Sequence, residues 1–112
     1  MADDIATLLA QAVGFDWEAG NAPKVAGRHG VESGECEQAF FQVPFVVSHD
    51  AAHSALEHRW RALGQTAAGR RVFVVFTLRG SLIRVLGARD MNRKERAQYA
   101  ETITRTKGDS DV

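Results

Sequence analysis

A lone cysteine among 112 residues, Cys36, excludes an internal disulfide, so the chain must fold on its core alone, as suits a reducing cytoplasm. Glutamates flank it on both sides, and carboxylates raise a thiol's pKa, so Cys36 reads as inert rather than nucleophilic. No apolar run is long enough to span a bilayer and no signal-peptide h-region opens the chain, so a cytoplasmic location and no membrane partner are expected. The chain also lacks a Gly-rich phosphate loop after a strand, a serine elbow, a zinc ribbon and any internal repeat, which removes the nucleotide-binding, serine-hydrolase, zinc-ribbon and solenoid readings.

What is present is an ordinary soluble composition, 45% hydrophobic and 25% charged, enough for one core but not two. Its net charge of zero is a cancellation. Residues 1–56 carry two basic and eight acidic side chains, whereas residues 57–112 carry twelve basic and six acidic. Between Glu57 and Arg96 lie ten of the fourteen Lys and Arg residues, against only Glu57, Asp90 and Glu95. A stripe of this sign is a candidate phosphate-binding surface.

The pattern predicts α+β architecture, with helices first, then a small antiparallel sheet of about four strands, then a helix. Residues 4–13 read as a short helical extension, with Ile5, Leu8, Leu9 and Val13 at helical spacing. The domain proper spans 14–104. Phe15 to Trp17 is a strand candidate, residues 18–28 a helix weakened by Gly20, Pro23 and Gly27, and residues 33–41 a second helix with Cys36, Ala39 and Phe40 inward. Four strand signals follow at 45–48, 57–65, 71–79 and 82–89, the last two joined by the two-residue connection Gly80-Ser81. Asn92 and Glu95 have capping-box spacing and open the final helix, with Ala97, Tyr99, Ala100 and Ile103 as its apolar positions and a flexible tail expected over 105–112.

Strand alternation places Phe73, Val75, Thr77 and Arg79 on one face of the third strand. Strict alternation sends Arg84 and Arg89 to opposite faces of the fourth, but a bulge at Gly87 would return Arg89 to the side of Arg84, and that arrangement is the one expected. Arg93, Lys94 and Arg96 stand where the helix macrodipole is already positive, a cost that an anion at the helix start, or acidic neighbours, would offset. His29 sits at a helix stop, where a histidine can cap carbonyls or serve as a base. Asp50, His53 and Glu57, with His49 nearby, match no tight metal motif, so neither a metal nor another cofactor is expected, and no paired histidines are evident. Trp60, between Arg59 and Arg61, suits a sheet core, or base stacking if it faced outward.

Several strings together resemble the BrnT family of toxins: Gly14-Phe-Asp-Trp17, Arg28-His-Gly-Val31, Glu35 with Ala39-Phe-Phe41, His53-Ser54, Glu57-x-Arg59, Leu63-Gly-Gln-Thr66, Gly69-Arg70, Val74-Val-Phe-Thr-x-Arg79, Ile83-Arg-Val85 and Ala88-Arg-Asp-Met-Asn-Arg-Lys-Glu-Arg96, followed by Tyr99. The resemblance covers about residues 14–100, and its last block is the most specific. It implies a RelE-like fold and a ribonuclease toxin of a type II toxin–antitoxin pair that arrests growth. The implied partner is a BrnA-type antitoxin, a ribbon-helix-helix protein that neutralises the toxin and carries the complex to operator DNA. The family's positions fall here on His29, Glu57, Arg59, Arg79, Arg84, Arg89 and the Arg93-Lys94 pair. Where relatives carry Asn just before the Arg/Lys-His-Gly turn, this chain has Val25 and Ala26.

On this resemblance the expected chemistry is RNA cleavage without a metal. Arg59, Arg79, Arg84 and Arg89 would clamp the scissile phosphate, His29 or Glu57 would accept the 2′-hydroxyl proton, and Arg93, Lys94 and Tyr99 would assist and hold RNA. The alternative is a weak or inactive homologue that serves as the antitoxin-binding subunit of an operon-repressing complex. A plain nucleic-acid-binding domain is disfavoured, because outward aromatics do not interleave with the basic residues.

Overall fold

The structure is a computed structural model that describes residues 5–17, 30–53 and 57–110. In chain order its elements are α1 (Ile5–Ala10), β1 (Gly14–Phe15), α2 (Ser33–Phe41), β2 (Val46–His49), a single 3-10 turn (Ala51–His53), β3 (Trp60–Gln65), β4 (Arg71–Arg79), β5 (Leu82–Asp90) and α3 (Arg93–Ser110). The predicted helix over residues 18–28 falls outside the described residues.

The sheet has five strands in the order β1-β5-β4-β3-β2. Three expectations change. The segment at Phe15 becomes a fifth strand, and it runs parallel to β5, pairing Gly14 with Leu82 and Phe15 with Ile83, so the sheet is mixed rather than antiparallel throughout. β3 begins at Trp60 rather than Glu57, and α3 continues to Ser110, past the point where its polar end was expected to fray. The β4–β5 hairpin forms as predicted, with Gly80 at φ +60°, a conformation that costs glycine little and other residues much.

Alternation assigns the two faces. Val72, Val74 and Phe76 of β4 point with Ala62, Ile83, Val85 and Ala88 into the larger core, closed by Val31, Cys36 and Ala39 from α2 and the segment before it. Gly64 lets that helix come close, since a Cβ there would stand 3.1 Å from the Phe45 ring and 3.2 Å from the Ala39 carbonyl oxygen. On the opposite face Leu63, Met91 and Tyr99 form a smaller cluster with Val46, Phe73 and Ile103, and this holds α3 across one end of the sheet.

Arg70, just before β4, ties these layers together. Its guanidinium donates to both Asp90 oxygens, at 2.8 and 3.2 Å, to the Gly30 carbonyl at 2.9 Å and to Glu35 at 3.0 Å. One side chain thus joins the end of β5, the approach to α2 and its first turn. Glu35 also accepts the Glu32 N–H at 3.1 Å, fixing the helix start.

Cys36 is fully buried, and burial pushes its thiol up to about 12, with Glu35 and Glu37 raising it further and Arg70 opposing them. A buried, protonated thiol reacts slowly, so iodoacetamide should leave the native chain unlabelled and modify it fully in denaturant. Rapid labelling of the folded protein would contradict this packing.

Candidate functional site

The arginines lie on the same sheet face as α3, over the part of it that the helix leaves uncovered. The β4–β5 register runs Val75↔Gly87 then Phe76↔Val85, so Leu86 is an extra residue in β5. This is the bulge expected at Gly87, and it has the expected effect: Arg84 lies opposite Thr77 and Arg89 opposite Phe73, two positions of the same β4 face. Arg79 shares that parity. In β3, Arg61 lies opposite Val75, and Arg59, two residues earlier, alternates to the same side. Folding therefore gathers Arg59, Arg61, Arg79, Arg84 and Arg89 on one sheet face.

Each cation is held differently. Arg84 is the most enclosed, its side chain 13% exposed, with Nη1 3.4 Å from Asp16 Oδ2 just past β1. The Nε atoms of Arg59 and Arg84 are both buried. Arg79 is exposed at the hairpin end, with Nη2 3.9 Å from Glu57 Oε1. Arg89 is gripped in two-point fashion by Glu95, at 2.8 and 3.0 Å, and its guanidinium lies over the Phe73 ring, 4.0 Å from the centroid. Arg61 is exposed. Beside it opens a pocket of about 230 Å³ lined by Ser48, Arg61, Leu63, Phe73, Glu95 and Gln98 among others.

The start of α3 is capped by its own side chains. Glu95 N–H donates to Asn92 Oδ1 and Asn92 N–H to Glu95 Oε1, both at 2.9 Å, completing the capping box. Arg93 and Lys94 are exposed on that first turn, and Arg96 donates to the Met91 carbonyl. Tyr99, expected to touch RNA, is fully buried instead, and its hydroxyl donates to the Pro44 carbonyl. Burial raises its pKa, against the Arg71 guanidinium 5.3 Å above its ring. Trp60 likewise points into the core side, stacked on Phe76 at 5.9 Å. His29 and the Val25-Ala26 departure lie outside the described residues.

Glu95 links fold and site. Arg89's hydrogen bonds hold its carboxyl below the usual glutamate range, helped by the Asn92 N–H and the charges of Arg89 and Arg61, while burial opposes them. A depressed acid contributes stability that is present above its unfolded pKa, about 4.3, and is lost as pH falls through the lower folded value. Acid titration should therefore weaken the anchorage of α3 below about pH 4, and Glu95→Gln should flatten that limb of the stability curve. An unchanged acid limb would sink the assignment.

A family model described as a ribonuclease toxin, BrnT, of a type II toxin-antitoxin system matches residues 17–95. The chain belongs to the BrnT family. No curated protein matches the chain significantly. The BrnT match spans α2, all of β2 to β5 and the first turn of α3, and so takes in all five face arginines with Arg93 and Lys94. Tyr99 and the rest of α3 lie beyond it. Membership of a type II toxin family implies a protein antitoxin as partner.

Sequence reasoning did not single out three residues that the arginine face contains. Asp16 is brought to Arg84 by a strand pairing across nearly 70 residues, for which the sequence holds no local signal. Glu95 reads as a cap alone until the bulge turns Arg89 toward it. Arg61 was within reach, since it stands two residues from Arg59 and strands alternate. Two histidines, His49 and His58, also meet, with Nε2 and Nδ1 3.3 Å apart, although no such pair was evident in the sequence. Among the described residues, no group of three or more His, Cys, Asp and Glu side chains comes together as a metal site.

Proposed function

We propose that this chain is a cytoplasmic ribonuclease toxin that cleaves RNA without a metal, arrests growth, and is neutralised by a BrnA-type ribbon-helix-helix antitoxin that also carries the pair to operator DNA. The observation that supports this most is the convergence of Arg59, Arg79, Arg84 and Arg89 on one sheet face through the Leu86-Gly87 bulge. Attack by a ribose 2′-oxygen on the adjacent phosphorus builds negative charge on the non-bridging oxygens, and fixed guanidinium groups stabilise that charge without reorganising. Arg84, mostly enclosed and oriented by Asp16, is the best placed to do so in a setting of reduced dielectric.

In this scheme the 2′-hydroxyl proton passes to Glu57 or His29, the 5′-oxygen leaves with a proton supplied by Lys94 or water, and the products end in a 2′,3′-cyclic phosphate and a 5′-hydroxyl. Glu57 is drawn toward this task by its place beside Arg79. Arg93 and Lys94 hold the flanking phosphates, and the pocket beside Arg61 receives a neighbouring nucleotide. Tyr99 supports the site from the core, with no surface to offer the RNA.

One observation favours the second reading, a catalytically weak antitoxin-binding subunit. Asp16, Glu57 and Glu95 already pair with Arg84, Arg79 and Arg89, so RNA must compete with three carboxylates for three of the four clamp residues. Induced expression of the chain with and without the neighbouring antitoxin reading frame separates the readings. The toxin reading expects growth arrest, with cellular RNA cut, that the antitoxin reverses; tight antitoxin binding with intact RNA and normal growth would favour the second.

A further inference from the structure

We propose that His49 and His58 form a two-histidine site for a divalent transition-metal ion of the zinc type, on the sheet side opposite the arginine face. His49 closes β2 and pairs in register with Trp60 of β3. His58 comes two residues before Trp60 and so alternates to the same side as His49. Both histidines are exposed, and His49 Nε2 lies 3.3 Å from His58 Nδ1.

In the metal-free chain the two rings share a hydrogen bond at this distance. Two nitrogens bound to one tetrahedral zinc ion at about 2.0–2.1 Å stand about 3.3–3.4 Å apart, so the spacing is already that of a zinc bite. The ring centroids lie 5.5 Å apart, against about 5.2 Å for such a pair, and a small rotation about the soft terminal χ2 torsions closes the difference.

The fold holds the two positions in place. The Asp50 N–H donates to the Arg59 carbonyl at 2.8 Å, extending the β2–β3 ladder past His49, and Thr77 Oγ1 donates to the His58 carbonyl at 2.6 Å. The Trp60 ring flanks both imidazoles, at 6.2 Å from His49 and 6.1 Å from His58. Coordination needs a lone pair on each facing nitrogen. In the metal-bound form each ring then carries its proton on its outer nitrogen. Imidazole nitrogens select zinc, copper or nickel over magnesium and calcium, and with two protein ligands water completes the shell. Bound metal would tie the end of β2 to the approach of β3. The site is independent of the ribonuclease reading and is tested by binding itself.

The test uses the full-length chain without a histidine tag, titrated with zinc chloride against a chromogenic chelator, with magnesium chloride as control. The expected result is one zinc ion per chain and no response to magnesium, with His49→Gln and His58→Gln each weakening zinc by at least about tenfold. Imidazole nitrogen NMR of the unaltered chain should show the His49 and His58 rings shifting together. The proposal is overturned by no saturable zinc binding, by equal affinity in both variants, or by a shift in only one of the two rings.

Discussion

Replacing Arg84 by alanine should slow RNA cleavage by about 10²–10³-fold while leaving the chain folded and able to bind its antitoxin. The magnitude is that of losing one preorganised donor aimed at a developing oxyanion. Arg84 is chosen over its neighbours for a structural reason. Arg79 is about half exposed and its charge is diluted by water, whereas Arg84 is mostly enclosed and faces Asp16. Arg84→Lys should recover only part of the rate, since an ammonium keeps the charge but not the planar fork. Asp16→Asn provides the complementary case. It removes the Asp16 charge that faces Arg84, so substrate affinity should rise while stability falls slightly. Steady-state cleavage of a short RNA by the three variants, with circular dichroism as the folding control, gives the comparison. Wild-type rates in Arg84→Ala would remove the clamp from the account.

The largest effect on stability is expected at Tyr99. Truncation to alanine in a fully buried aromatic site should cost about 3–5 kcal/mol, enough to unfold much of the population of a small domain, because it empties the cluster that holds α3 to Leu63 and Met91. Tyr99→Phe isolates the hydroxyl. It removes only the bond to the Pro44 carbonyl, costs about 1–2 kcal/mol, and should leave RNA cleavage close to wild type at a temperature where the chain is folded. Urea denaturation of both variants measures the first pair of values. A Tyr99→Phe variant that is fully stable yet cannot cut RNA would restore the hydroxyl to the active site.

Tyr99 also shows where the sequence stops being legible. Its place among Ala97, Ala100 and Ile103 marks an apolar helix face, but a tyrosine next to a basic block suits both a core and an RNA surface until the packing partners Leu63 and Met91 are known. The β4–β5 hairpin was readable because its signals are local: an apolar run, a Gly-Ser connection, and a second strand of matching length. The bulge was readable for the same reason, since Gly87 breaks the alternation of its own strand.

What depends on register was not readable. β1 pairs with β5 across nearly the whole chain, so Asp16 gave no sign that it would face Arg84. His49 and His58 meet only once Trp60 is set opposite His49, and the eight residues between them in sequence hide that. The opposed charges of the two halves were visible from the start, and among the described residues the contacts of Asp16 with Arg84 and of Glu35 with Arg70 carry that opposition into the fold.

The central claim is that the arginine face is a metal-independent RNA-cleaving site. Purified full-length chain, mixed with a defined RNA in excess EDTA and read by end-group analysis, tests it most directly. The account predicts cleavage that survives the chelator, leaves 2′,3′-cyclic phosphate and 5′-hydroxyl ends, stops on adding antitoxin, and disappears when Arg59 and Arg84 are both replaced by alanine. RNA left whole by a molar excess of folded toxin, or cleavage that persists in the double variant, would contradict it.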